Sequence, residues 1–355
     1  MEYKIFGITK TYKYHYTLCN SSSESRLSTL RIHSAGGGGE RLIAIINNIT
    51  RKWNKDNISR TKAYLHFYRR HPEVQWAFLA SMVSRNAGWN MCDLESPLYK
   101  RALDRHYRQA LFMAYEKANY LIFQDAFPQL MLYHYSTYLK SNLFHYMRIF
   151  SVSSFMEAEW NRFWKLRDKR RLMQSLIINE QNLIQEPVIK DCFLKEEVFG
   201  SKLFSIQDRL GLNMVVFPAR TGDLYGAPVR KFRRLDARIH FGARLADILF
   251  SPGLYPSFSD FAAATEHTGS RNDYETYMDI GNGTASSTPF LRLVYPAINH
   301  PVYRLGKWDE RRRIKEGWRK GPGTNIINDC AITREYFEKR KQIHLFLAVK
   351  SCFNP

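Results

Sequence analysis

The densest group of chemically capable side chains is the polar segment 266–275, EHTGSRNDYE. Around Gly269, His267 or Glu266 can act as a general base while a hydroxyl binds a substrate oxygen. Arg271 can hold a phosphate or a carboxylate through two parallel hydrogen bonds. The alternative is a solvent-exposed loop whose polar residues cap the next helix. The candidate catalytic residues are Glu266, His267, Ser270, Arg271, Asp273 and Glu275.

A second candidate site, SRNAGWN at 84–90, follows an apolar helical stripe. Gly88 permits a positive φ, and neighbouring side chains can converge on an anionic ligand with an indole as its apolar wall. The alternative is an ordinary helix C-terminus, where Arg favours the helix dipole and Asn or Gly ends the last turn. Either interpretation ends the helix here. The candidate ligand-binding residues are Arg85, Asn86, Trp89 and Asn90.

Polar residues also interrupt an apolar run at Glu180-Gln181-Asn182, within LIINEQNLI. Because apolar residues flank them on both sides, these groups are expected to be partly buried and to need hydrogen-bond partners. A buried glutamate has a raised pKa and can serve acid–base chemistry. A structural hydrogen-bond network is the alternative, and the sequence does not separate the two.

The charge balance gives the firmest indication of function. The chain has 355 residues, with 53 Lys and Arg against 33 Asp and Glu, a formal net charge of +20. Residues 300–355 carry 13 basic and 6 acidic side chains, which is a large excess for so short a stretch. Such an excess favours binding to nucleic acid or to another polyanion.

The centre of this basic region is KWDERRRIKEGWRK at 307–320. In a helix, its cations would share one face, which could follow a phosphate backbone while an indole stacks on a base. The candidate polyanion-binding residues are Arg311, Arg312, Lys315, Arg319 and Trp308. The alternative is a solvated helix whose arginines pair with Asp309, Glu310 and Glu316. Gly317 weakens such a helix by about 1 kcal/mol relative to alanine.

Standard catalytic and metal-binding motifs are absent from the sequence. Four glycines at 36–39 precede Glu40-Arg41 rather than Lys-Ser/Thr, which excludes a P-loop. There is no HExxH, GxSxG or EF-hand loop, and no His lies at metal-ligand spacing from another His or Cys. We therefore expect neither a metal nor a cofactor. Five scattered cysteines form no disulfide framework, which is typical of a reduced, cytoplasmic compartment.

A mainly helical pattern must position these segments. From Glu40 onwards apolar residues recur at i, i+3, i+4 and i+7, the spacing of one buried helix face. The best helix covers 104–127, and Pro128 is expected to break or kink it. Further helical patterns cover 129–150, 154–171, 172–185 and 332–350, and another contains Phe232 to Ala246. The predicted fold is mainly α, a single multi-helix globular domain with few or no strands.

The first 39 residues differ from the rest because they are rich in Ser and Gly, a composition typical of a flexible connector. We predict a variable N-terminal segment and linker at 1–39 and a helical domain at 40–355, with a seam near 190–220 left open. No apolar run reaches the roughly 18 residues of a membrane-spanning helix, so an integral membrane protein is not expected. The N-terminus lacks the pattern of a signal peptide.

Five strings of this chain, within roughly residues 40–300, are similar to strings of a known family and occur in the same order. They are NISRTKAYLHFYRRHPEVQWAFLASMVSRNAGWNMCDL at 57–94, DAFPQLMLYHYS at 125–136, LIINEQN at 176–182, FSIQDRLGLNMVVFP at 204–218 and HTGSRNDYETY at 267–277. On these strings the chain resembles the YppC-like bacterial family, catalogued as domain of unknown function 2515. The resemblance implies a cytoplasmic helical protein without an established activity, and it supplies no catalytic residues.

Two function hypotheses follow from the sequence. The leading one is a basic protein that binds nucleic acid or another polyanion through the 307–320 face. The alternative is an enzyme acting on a small anionic substrate through 266–275 with help from Arg85, which requires these side chains to converge on one pocket. Peripheral attachment to an anionic membrane through the basic face is a third hypothesis. The oligomeric state is open.

Overall fold

A computed structural model describes residues 38–279, 288–301, 307–319 and 330–353, the last range with side chains as far as Val349. The chain divides into two compact units, Met1–Ile45 and Ile46–Pro355. The described part of the first unit is the start of one helix, and everything that follows concerns the second. The predicted boundary at residue 39 and the seam near 190–220 stay predictions.

Helices dominate the described residues, which confirms the mainly α class. They are α1 (Gly38–Trp53), α2 (Asn57–Arg70), α3 (Trp76–Asp93), α4 (Pro97–Ala102), α5 (Arg105–Leu139), α6 (Ser154–Leu166), α7 (Lys169–Leu183), α8 (Cys192–Leu194), α9 (Lys202–Leu210), α10 (Leu235–Leu249), α11 (Tyr255–Ala264), α12 (Asn272–Glu275), α13 (Leu291–Val294) and α14 (Thr333–Phe353). Short 3₁₀ or π turns lie at Phe144–Phe150, Gln185–Ile189, Lys195–Phe199, Trp308–Glu310 and Glu316–Arg319. None of the helices in the described ranges is long and apolar enough to cross a bilayer.

One antiparallel hairpin interrupts the helices. Its strands are β1 (Met214–Pro218) and β2 (Leu224–Pro228), and Val216 lies opposite Gly226. The short apolar run MVVFP is therefore a strand. All five residues of β1 are buried, because the strand packs against α3 and α11.

Several helices begin where the sequence supplies a short polar side chain. The Asp56 carboxylate accepts from the Ser59 amide at 2.7 Å at the start of α2, and Asp104 accepts from the Tyr107 amide at 2.8 Å at the start of α5. Such caps satisfy backbone N–H groups that have no partner inside the helix. The local sequence thus sets where these helices begin.

Of the two expectations for Pro128, the break was wrong, because α5 continues through it to Leu139, and the kink stays a prediction. A proline inside a helix costs about 3 kcal/mol. The residues on both sides, including Phe123, Phe127 and Leu130, are almost completely buried, and each such side chain contributes roughly 1.5–3 kcal/mol. Packing against the core therefore outweighs the local preference.

The expected helix end at 84–90 was also wrong, because α3 runs on to Asp93. This helix is the centre of the fold and packs against α2, α5, α7, α10 and β1. The Asn86 side chain does not cap its own helix but bonds β1: its amide donates to Met214 O at 3.1 Å and its Oδ1 accepts from Val216 N at 2.9 Å. The asparagine therefore joins the helix to the strand.

Candidate functional site

The segment 307–319 is not the helix that the basic stripe required. It forms two 3₁₀ turns joined by non-helical residues, and Lys320 lies outside the described residues. Trp308 and Trp318 are both buried in one cluster with Ile178 and Ile239. An α-helix would separate the two indoles by about 15 Å along its axis, so packing both into one cluster opposes a helix. The helical face was therefore a wrong expectation.

Most of the candidate cations in this segment are held by acidic side chains of other elements rather than by Asp309, Glu310 or Glu316. Arg312 pairs with Glu186 at 2.9 Å, Lys315 with Asp236 at 3.0 Å and Arg319 with Glu159 at 3.1 Å. Arg311 is exposed. The Trp308 indole donates to Asn179 Oδ1 at 2.8 Å inside the protein, so it is not available to stack on a base. The role of these residues in binding a polyanion stays a prediction.

The two polar segments that the sequence singled out separately lie against each other. Trp89 Nε1 donates to Asp273 Oδ2 at 3.1 Å, and Arg271 Nη2 donates to Asn90 Oδ1 at 2.9 Å. Arg85 donates to the Thr265 carbonyl, just before the second segment, and its guanidinium lies 4.9 Å from the centre of the Phe261 ring. α3 therefore carries one half of a polar cluster and the 266–275 segment the other.

His267 and Asp273 form a buried pair within this cluster. His267 Nδ1 lies 3.2 Å from Asp273 Oδ2, and its Nε2 lies 3.1 Å from Asn57 Oδ1. Burial lowers the pKa of His267. Burial alone would raise the pKa of Asp273, but hydrogen bonds from His267, Thr268 and Trp89 hold it below its ordinary value. Buried neighbours thus hold both the imidazole and the carboxylate, an arrangement suited to holding the fold.

Gly88 explains why α3 passes through this cluster. An added Cβ would lie 2.7 Å from Cε1 of His267 and 3.1 Å from Asn57 Oδ1. The glycine is thus a place of close approach between the helix and the imidazole, not a helix end.

Gly88→Ala is expected to lower the free energy of unfolding by about 1–3 kcal/mol, because overpacking outweighs the better helix propensity of alanine. Urea unfolding measures the change. Gly317→Ala is the matched control, because no atom lies within 4 Å of its added Cβ. Equal stability of the two variants would contradict the steric role of Gly88.

Arg271 is another member of the cluster, and its guanidinium nitrogens all donate hydrogen bonds inside the protein. It binds Asp93 through Nε (2.8 Å to Oδ1) and Nη2 (2.6 Å to Oδ2), and Nη1 donates to the Tyr274 hydroxyl at 2.6 Å. Burial raises the pKa of Asp93 although Arg271 opposes it. The guanidinium therefore joins α3 to α12 rather than waiting for a substrate.

From Arg271 the hydrogen bonds continue to the C-terminal helix. The Tyr274 and Tyr336 hydroxyls are 2.8 Å apart, and Tyr336 donates to Glu275 Oε1 at 2.9 Å. Arg340 Nη1 donates to the same oxygen at 2.9 Å. This chain of hydrogen bonds holds α14 against the cluster.

Two further catalytic candidates lie apart from any shared centre. Ser270 Oγ is buried and lies 2.8 Å from both the Thr288 carbonyl and its hydroxyl. Glu266 is exposed and pairs with Lys62 at 3.2 Å. Among the candidates in both segments, Arg271 and Asn90 line the cavity described below, and the others do not. Convergence on one pocket is thus partial.

Glu180 lies in a separate polar network at the other end of α3. Its carboxylate accepts from Trp76 Nε1 at 3.1 Å and from Gln181 Nε2 at 3.1 Å. Burial raises its pKa to about 7. The direction is the one expected from the sequence, and these bonds fit the structural alternative.

A cavity of about 240 Å³ opens between α4, α5, α9 and α14, next to Arg271. Leucines and tyrosines, among them Leu111, Tyr115 and Leu347, form much of its wall. Among the polar side chains on the wall that have no hydrogen-bond partner in the described part of the chain are Tyr99, Gln207 and His344. Polar groups that face a cavity and have no partner are the usual means of orienting a ligand.

The cations on the cavity wall outnumber the anions. The wall carries the cations Arg271, Lys339 and Arg340 and the anion Asp93. Asp93 pairs with Arg271, and Glu275, which does not line the cavity, pairs with Arg340. Burial, followed by the nearby Arg340 charge, lowers the pKa of His344, which favours the neutral imidazole. Over the described ranges, no group of three or more His, Cys, Asp or Glu side chains is placed to hold a metal ion. The chemistry on offer is hydrogen bonding and positive potential.

Sequence reasoning missed Tyr99, Gln207, Lys339, Arg340 and His344. They come from three helices, and none belongs to a motif. The available signal was the spacing of Tyr336, Arg340, Ile343 and Leu347 at i, i+4, i+7 and i+11, which places an arginine on the buried face of α14.

The family model described as "Protein of unknown function (DUF2515)" matches residues 52–324. The chain belongs to this family. The "Uncharacterized protein YppC" of Bacillus subtilis (strain 168) is 42% identical over 311 residues, which are 87% of this chain and 95% of that protein. No solved structure matches the chain. The resemblance to the DUF2515 family is confirmed, and α14 lies beyond the residues that the family model matches.

Proposed function

We propose that this DUF2515 protein binds a small, partly apolar anion in the cavity beneath α14. The observation that supports this is the group of three polar side chains, Tyr99, Gln207 and His344, that face the cavity without a partner in the described part of the chain. They come from α4, α9 and α14, so a ligand in the cavity can contact all three helices. An apolar wall with a few convergent polar groups is the usual composition of a ligand site.

The charge and the volume of the cavity restrict the kind of ligand that it can hold. The excess of cations on the wall favours a carboxylate, sulfonate or phosphate over a neutral molecule. A cavity of about 240 Å³ is smaller than the roughly 300–1,000 Å³ of sites for drug-sized molecules. The leucines and tyrosines of the wall favour a ligand that carries a flat or branched apolar group next to its anionic group.

Binding is favoured over catalysis because the best acid–base pair does not reach the cavity. His267 and Asp273 are 3% and 7% exposed, and both are bound to neighbouring side chains. An enzyme acting on a small anionic substrate would have to use Tyr99 or His344 for proton transfer. In that case the 266–275 segment would contribute positioning through Arg271.

A naphthalene carboxylate is a suitable probe for this proposal. We expect 2-naphthoate to bind with one site per chain and the neutral 2-naphthamide at least about tenfold more weakly, as measured by isothermal titration calorimetry. Lys339→Gln and His344→Leu should each weaken binding of 2-naphthoate roughly three- to tenfold.

Lys341→Gln is the matched control for the first variant. It makes the same change two residues along α14, where the side chain is exposed and does not line the cavity. If the amide binds as well as the carboxylate, or if Lys341→Gln weakens binding as much as Lys339→Gln, the proposal is wrong.

A polyanion such as nucleic acid is the second candidate. The net charge of +20 supports it, as do Arg311 and Arg313, which are exposed and have no ion pair within the described ranges. Fluorescence anisotropy of labelled DNA and RNA over a salt series tests it, because each phosphate contact steepens the dependence of affinity on salt. Both proposals, binding of a small anion and binding of a polyanion, include a cytoplasmic location for the protein.

A further inference from the structure

Exposed apolar side chains lie on α9 and α14, two of the helices that line the cavity. We call this group the apolar rim: Ile206, Leu210, Leu345, Phe346 and Val349, which are 38%, 51%, 68%, 38% and 50% exposed. Lys339 Nζ donates to the Leu210 carbonyl at 2.8 Å, which places the end of α9 beside α14. Ile206 and Phe346 also line the cavity. Large apolar residues grouped in this way mark an interaction surface.

Exposed cations alternate with the apolar rim on both helices. On α9, Lys202, Ile206 and Arg209 are exposed and follow the i, i+4, i+7 spacing of one face. On α14, Lys341, Leu345 and Val349 follow i, i+4, i+8 on the face opposite the cavity, and Lys339 lies at the border. Glu338, the acidic residue nearest to Lys341 along the chain, pairs with Arg334 at 3.0 Å.

We propose that the apolar rim and its cations dock on the surface of an anionic lipid bilayer. Helices that lie in a membrane interface combine Leu, Ile, Val and Phe on one side with Lys and Arg at the border, because the apolar chains enter the acyl boundary while the cations meet lipid phosphates. The surface carries both features on two adjacent helices. This inference goes beyond the cavity ligand and does not depend on it.

The charges on the surface disfavour two other occupants. In a two-fold dimer through the same patch, Lys202, Arg209, Lys339 and Lys341 would face the same cations of a second copy. The N-terminal residues 1–37 hold five basic and two acidic side chains, so their net charge has the same sign as that of the surface. Nucleic acid suits the patch less well, because four of its five apolar side chains are aliphatic and offer no stacking surface for bases.

Co-sedimentation of the full chain with vesicles tests the proposal. We expect binding to vesicles of equal parts phosphatidylglycerol and phosphatidylcholine, and roughly tenfold weaker binding to pure phosphatidylcholine. The apolar variant Leu210→Ser/Leu345→Ser/Val349→Ser should lose about tenfold or more on the anionic vesicles, and so should the charge variant Lys202→Gln/Arg209→Gln/Lys341→Gln. None of these six residues lines the cavity.

Two matched controls make equivalent changes elsewhere. Ile149→Ser/Leu166→Ser/Leu293→Ser alters three apolar residues that are 56%, 58% and 78% exposed, and Lys195→Gln/Arg311→Gln/Arg313→Gln removes three exposed cations, all outside the two helices of the apolar rim. Both should bind anionic vesicles like the wild type. Circular dichroism and thermal unfolding check that each variant is folded.

Several results would overturn the inference. They include no binding to either kind of vesicle, equal binding to both, or an equal loss in the control variants. A wild-type dimer that the apolar variant turns into a monomer, seen by light scattering, would assign the surface to a second copy. Lysine cross-links from Lys339 or Lys341 to Lys4, Lys10 or Lys13 within one chain would assign it to the N-terminal segment.

Discussion

Replacing Arg271 by methionine is expected to lower the free energy of unfolding by about 3–5 kcal/mol, because Asp93 would stay buried without its cation. The pair is close, with Nη2 at 2.6 Å from Oδ2, and the same guanidinium also binds Asn90 and Tyr274. Methionine fills much of the space but donates no hydrogen bond. Urea unfolding followed by circular dichroism measures the loss.

A double variant separates the loss of the cation from the loss of volume. Arg271→Met/Asp93→Leu removes both charges and should recover a large part of the stability. Arg148→Met breaks the exposed pair with Glu157 and should leave stability nearly unchanged, since water replaces the lost partner. The prediction is wrong if Arg271→Met costs no more than Arg148→Met.

Asp125 is expected to make the protein less stable as the pH rises from about 4 to about 7. This carboxyl is buried in α5 and accepts from Asn179 Nδ2 at 2.6 Å and Gln129 Nε2 at 2.7 Å. Burial raises its pKa from 3.8 to about 7. Between these two values the folded chain holds a proton that the unfolded chain releases, so stability falls by about 1.4 kcal/mol per pH unit, in all about 4 kcal/mol.

Asp125→Asn removes this titration while one amide oxygen still accepts both hydrogen bonds. The slope of unfolding free energy against pH should therefore become more positive by about 1.4 kcal/mol per unit between pH 5 and pH 7. Histidines whose pKa is lowered by burial, such as His134 at about 4, contribute equally to both proteins and cancel in the difference. Asp260→Asn, an exposed carboxylate, is the control. Parallel slopes for the wild type and Asp125→Asn would refute the assignment.

The contrast between Asn86 and Gly88 in the sequence and in the structure shows where local rules fail. Both residues favour a helix end, and this was the expectation. Asn86 instead forms hydrogen bonds to β1, and Gly88 leaves room for the ring of His267. Both partners are distant from α3 in the sequence. A local pattern carries no information about a partner so distant, so tertiary contacts decided the outcome.

The basic segment 307–319 failed for the same reason. Its spacing fits a helix with one charged face, and the sequence cannot tell that two tryptophans pack in one cluster and that Glu159, Glu186 and Asp236 lie within reach on other elements. The sequence alone gives the number of basic and acidic side chains. Which cations remain available depends on the acidic neighbours that folding brings to them.

By itself the sequence determined the mainly α class, most of the helices, and membership of the DUF2515 family through long matching strings. These are properties of neighbouring residues, because a helix face and its caps are set within a few positions along the chain. Only the tertiary structure decided that side chains of 84–90 and of 266–275 meet in one polar cluster. It also decided that Tyr99, Gln207 and His344 face one cavity, because that depends on how α4, α9 and α14 pack around α5.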